Sequence, residues 1–100
     1  MSADILVEWH PLVVGKMIKR AIGTRQISEA AKILGTSGNY LKGVIEGRHS
    51  VSAIMASRMH RIGLDGRQIF LKQAERSFEI NWRYETGEID RLNIGKRGSS

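Results

Sequence analysis

The stretch that most constrains this chain is residues 27–47, ISEAAKILGTSGNYLKGVIEG. Ala30, Ala31, Ile33 and Leu34 share one face of a first short helix, and Gly35 ends it. Leu41, Val44 and Ile45 supply the apolar stripe of a second helix, which Gly47 ends. Gly35 suits the turn between them, because a positive φ is cheapest for glycine. A small residue at Ala31, a glycine four positions later and apolar residues at Leu41 and Val44 have the spacing of a helix-turn-helix. In that arrangement the two helices cross so closely that position 31 must stay small. The alternative is an ordinary αα-hairpin inside a helical bundle. With its core positions spent, the second helix is expected to leave Ser37, Gly38, Asn39, Lys42 and Gly43 facing outward. Gly38 and Gly43 each cost that helix up to about 1 kcal/mol in propensity.

The flanking residues read as further helices. His10-Pro11 opens one, with proline at the first helical position where its missing N–H costs nothing. Leu12, Val13, Met17, Ile18, Ala21 and Ile22 form its apolar stripe, Lys16, Lys19 and Arg20 lie on the other face, and Gly23 closes it. Either Thr24 or Ser28 caps the next helix. Beyond Gly47, Ser52 is an N-cap candidate for a helix carrying Ile54, Met55, Met59 and Ile62, closed by Gly63-Leu64. Asp65 with Gln68 resembles a capping box opening a fifth helix that contains Ile69, Phe70 and Ala74. Residues 10–76 are thus expected to be a five-helix domain, preceded by residues 1–9 as a disordered leader or an arm packing on a partner.

The pattern changes at Phe78. Phe78, Ile80, Trp82 and Tyr84 alternate with Glu79, Asn81 and Arg83, which predicts a strand. Thr86-Gly87 then reads as a turn, so residues 77–95 are expected to form a strand or hairpin arm, and 96–100 a flexible tail. An isolated hairpin is marginal in water, so Phe78, Ile80, Trp82 and Tyr84 are either packed on this chain's helices or used as a dimer interface. The fold class expected is mainly α with this C-terminal β element.

Charge points to the kind of partner. Residues 9–74 hold eleven Lys/Arg against three Asp/Glu, so the formal net charge of +6 is concentrated on the helical part. Localised positive charge is the electrostatic footprint of a polyanion binder; a solvated basic surface is the alternative. The absence of cysteine excludes disulfides, thiolate zinc sites and cysteine nucleophiles. His10, His49 and His60 share no ligand spacing, and Gly15-Lys16 lacks the upstream glycine of a phosphate loop, so neither an enzyme nor a cofactor is expected. No apolar run approaches a membrane span and no signal-peptide core is present, which suits a cytoplasmic location.

The residues Ala31, Gly35, Leu41 and Val44, with the closing run Val44-Ile45-Glu46-Gly47, resemble the lambda-repressor-like class of DNA-binding domains, the Cro/C1 (XRE) group. That resemblance implies a five-helix fold and a homodimeric transcriptional regulator, a repressor or autorepressor, on a pseudo-palindromic operator in double-stranded DNA. On that reading Ser37, Gly38, Asn39, Lys42 and Gly43 meet base edges, with the Asn39 amide suited to adenine. Arg25, Gln26, Tyr40, Arg48 and His49 meet phosphate. Ser37 has an alternative role as helix N-cap, and Tyr40 as packing at the rim. Within the group, His10-Pro11, Leu34-Gly35-Thr36-Ser37, Glu46-Gly47-Arg48, Ser52 and Gln73 resemble the HigA antitoxin family. That family implies a cognate mRNA-cleaving toxin as a further partner.

Overall fold

A computed structural model describes residues 4–88. Among them are six α-helices, a 3-10 turn and no strand. The helices are α1 (Ile5–Glu8), α2 (Pro11–Ile22), α3 (Ile27–Leu34), α4 (Gly38–Ile45), α5 (Ala53–Arg58) and α6 (Gly66–Thr86), with the 3-10 segment Met59–Ile62 following α5.

Local chemistry accounts for most of the boundaries. His10 caps α2 through Nδ1, which accepts from the Leu12 N–H at 3.1 Å, and Pro11 takes the first helical position. Ser52 and Asp65 cap α5 and α6 by accepting from the N–H groups of Met55 and Gln68. Neither Thr24 nor Ser28 caps α3. Its N-cap is Gln26, which makes no side-chain capping bond. At the other end Gly35 adopts φ +70°, and the N–H groups of Gly35 and Thr36 turn back to the carbonyls of Lys32 and Ala31.

The core gathers Val14, Ile18 and Ile22 of α2, Ala30, Ala31 and Leu34 of α3, Leu41 and Val44 of α4, Met55 of α5, Met59, and Ile69 of α6. Several residues expected inside lie outside. Leu12 and Val13 are exposed because α2 is rotated so that Val14 and Gly15 face α4. Ile54, Phe70 and Ala74 are exposed as well, their helices turning Met55, Ala56 and Ile69 inward instead. Two glycines set the helix spacing. A Cβ on Gly15 would overlap the Ile45 carbonyl of α4, and one on Gly66 would overlap the Ala56 carbonyl of α5.

Two expectations fail at the ends of the chain. Residues 77–86 are not a strand; they continue α6, which runs unbroken through the expected boundary at 76/77 until Gly87, at φ +83°, caps it. The alternation of Phe78, Ile80, Trp82 and Tyr84 resolves at 100° per residue into two i,i+4 pairs on opposite faces. Phe78 and Trp82 stack on the outside with ring centroids 6.1 Å apart, whereas Ile80 and Tyr84 are half-buried. Residues 89–95, the rest of the expected arm, lie outside the described residues. Nor is 4–9 a leader: α1 packs on α6 of the same chain. Arg76 Nε donates to the Leu6 carbonyl at 2.9 Å, and the Arg83 guanidinium donates to both Asp4 oxygens at 2.9 and 3.0 Å.

Candidate nucleic-acid interface

Helix α4 is held on three sides. Leu41 and Val44 are buried in the core, and Gly15 lets the α2 backbone approach at Ile45. What remains in solvent is a ridge of Asn39, Lys42 and Glu46, at the i, i+3, i+7 spacing of one helical face. Ser37 caps the helix by accepting from the Tyr40 N–H at 3.1 Å. Gly38 is the first helical residue and half-buried, its Cβ direction meeting Ile27 Cγ2 at an ordinary 3.6 Å.

Gly43 does not face outward as expected. It is buried, because the His49 imidazole lies where its side chain would be. That ring also stacks on Tyr40, centroids 5.0 Å apart and planes 3° from parallel. The Tyr40 hydroxyl donates to the Ser50 carbonyl, which folds the loop after α4 back against it. Tyr40 is therefore packed at the rim with its proton committed, and the edge of the His49 ring stays exposed.

The ridge separates two open depressions. On one side Asn39, Tyr40, Lys42, Glu46, Arg48 and His49 line a hollow of about 510 Å³. On the other, Asn39 and Lys42 line a groove of about 720 Å³ together with Lys19, Arg25, Ser28 and Gly38. Arg25 is braced there by a bond from Nη1 to the Ile22 carbonyl at 3.2 Å. The structure thus brings Arg25, Gly38, Asn39, Tyr40, Lys42, Arg48 and His49 around one ridge. Gln26 and Ser37 border neither depression.

Two features were not anticipated. Lys19 faces the groove because the turn at Gly23 brings the end of α2 beside the start of α3; its place four residues before that glycine was the available signal. Glu46 lies on the ridge and accepts from Arg48 through Nε at 3.0 Å and Nη2 at 2.7 Å. The Arg48 hydrogen bonds hold the Glu46 carboxyl below its ordinary 4.5, so at neutral pH the ridge carries one cation and one anion. Among the described residues Lys19, Arg25 and Lys42 make no ion pair, whereas Arg48 is paired with Glu46.

Among the described residues no three His, Asp or Glu side chains gather as metal ligands, and no helix is long and apolar enough to cross a membrane. A scan against protein-family models finds none that matches, and searches of the curated proteins and of the solved structures likewise return no match.

Proposed function

We propose that this chain is a sequence-specific DNA-binding regulator with a lambda-repressor-like helix-turn-helix formed by α3 and α4, acting as a homodimer that represses by occluding a promoter. The observation carrying this reading is the Asn39–Lys42 ridge between two depressions that hold Lys19 and Arg25 on one side and Arg48 and His49 on the other. A helix about 10–12 Å across matches the major groove. Lys19 and Arg25 on one flank, and Arg48 on the other once it exchanges Glu46 for a phosphate, match the two phosphate strands that border it. In this role Lys19, Arg25 and Arg48 hold the backbone, Lys42 supplies charge within the groove, and Asn39 reads a base edge.

A single module of this size makes few base contacts. Homodimerisation on a pseudo-palindrome doubles them and places half-sites about 34 Å apart. The test is a gel shift on the DNA upstream of the chain's own gene, across a salt series with random competitor. Competitor-resistant binding is expected, with Lys42→Ala flattening the log–log salt slope by about 1 and Asn39→Ala costing about 1–3 kcal/mol at one base position. Binding that ignores both substitutions removes α4 from the interface. The order of residues shared with the HigA antitoxins supports a second reading, in which an adjacent toxin gene exists and co-expression with this chain restores growth.

A further inference from the structure

The face of α6 turned away from the other described residues is apolar along its middle. Leu71, Phe78 and Trp82 are 57%, 64% and 52% exposed, Ala74 lies between them, and all four fall within about 80° of one another around the helix axis. The three large side chains present on the order of 350 Å² of apolar surface, taking roughly 200 Å² for a whole aromatic. That is the patch size at which monomers carry an interaction site. Doubled by symmetry and widened by flanking residues, it reaches the lower range of stable interfaces, about 1,200 Å².

The order of residues along this face says what covers it. Read outward from the level of Arg76, the two halves are complementary in size and charge. Ala74 is matched by Phe78, Leu71 by Trp82, and Arg67 by Glu85. Laid antiparallel about a two-fold axis at that level, one copy sets each large side chain against a smaller one of the other. Arg67 then falls opposite Glu85, and neither makes an ion pair among the described residues. On the other flank Lys72 and Glu79 come level, but each is already paired within its own chain, with Glu75 and Arg83 respectively. A parallel pairing would set Arg67 on Arg67, Glu85 on Glu85 and Phe78 on Phe78. Only the antiparallel register sets Arg67 against Glu85.

We propose that α6 is the seam of a homodimer, packing antiparallel against α6 of a second copy through Leu71, Ala74, Phe78 and Trp82, with reciprocal Arg67–Glu85 pairs closing its ends. The inference rests on the homodimer part of the proposed function and is independent of what α4 binds. It replaces the strand first expected at 78–84, retaining Phe78 and Trp82 and assigning Ile80 and Tyr84 to the chain's own packing.

Sedimentation equilibrium of the full chain over a concentration series tests it, with gel shifts run in parallel. The wild type should sediment at twice its 11.2 kDa. Phe78→Glu should give the single-chain mass with an unchanged helical circular dichroism spectrum. Arg67→Glu and Glu85→Arg should each weaken association on the order of tenfold, since every substitution creates two like-charge pairs. The double variant should recover to within about threefold of wild type. A wild type of single-chain mass throughout overturns the seam, as does a Phe78→Glu dimer, and a double variant no better than its parents overturns the register. A monomer that still shifts DNA removes the seam and leaves the DNA reading; a dimer that ignores DNA does the reverse.

Discussion

The His49 imidazole sits directly over Gly43, so a residue of the loop after α4 fills a gap in the helix itself. Gly43→Ala separates stability from recognition. The added methyl would meet Cδ2, Nε2 and Cγ of the His49 ring, so the imidazole has to leave its place over the helix, while alanine recovers up to about 1 kcal/mol of helix propensity. Thermal unfolding should be unchanged or slightly raised. In the proposed DNA-binding role, affinity should fall on the order of tenfold as His49 leaves its stack on Tyr40, with His49→Ala giving a similar loss.

Gly15→Ala should behave in the opposite way. Here the added methyl meets the Ile45 main chain, which moves only if α2 and α4 separate. A loss of about 1–3 kcal/mol is expected by denaturant titration, the usual cost of overpacking a tight contact.

Gln73 clasps the loop before α5. Its Oε1 accepts from the Val51 N–H at 2.7 Å and its Nε2 donates to the Val51 carbonyl at 3.1 Å, satisfying both backbone groups of a residue 2% exposed. Gln73→Leu keeps the bulk but strands both. A cost of about 1–3 kcal/mol in chemical denaturation follows for groups left without partners. Gln73→Glu keeps an acceptor for the N–H but sets an ionised oxygen against the Val51 carbonyl, so its cost should shrink as acid protonates the carboxyl.

The helix boundaries were largely legible because punctuation is local. Gly35, Gly47 and Gly63 take positive φ next to the helix ends they were expected to close, and Ser52 and Asp65 cap through their own side chains. Residues 78–84 misled because seven residues are too few to tell alternation from two i,i+4 pairs when both faces of a helix are apolar. What decides the matter is distant: Arg83 binds Asp4 at the other end of the described chain, and Glu79 one turn earlier. The roles of Gly15 and Gly43 were equally hidden, since each depends on a main chain or ring placed by tertiary packing. Asn39 and Lys42 share a ridge because helical spacing alone puts them there. Lys19 joins them only through the turn at Gly23.

Acid should loosen α1. Hydrogen bonds from Arg83 hold the Asp4 carboxyl below its ordinary 3.8, so folding favours the ionised form. That contribution is complete above the ordinary value and is lost as the pH falls through the lower folded one. Amide-exchange protection at Glu8 and Trp9 should therefore stay level from neutral pH down to about 4 and then decline. In Asp4→Asn it should already be reduced at neutral pH and show no such decline.

The contacts that Tyr40, His49, Ser50, Glu46 and Arg48 make with one another have a consequence for the entropy of association. Immobilising a flexible side chain on binding costs about 0.5–1.5 kcal/mol, and a loop that orders on contact adds its backbone share. In this chain much of that freedom is surrendered when the protein folds. In the proposed DNA-binding role, the duplex meets an α4 surface already set except at Arg48, so discrimination rests on shape and charge rather than on ordering the loop.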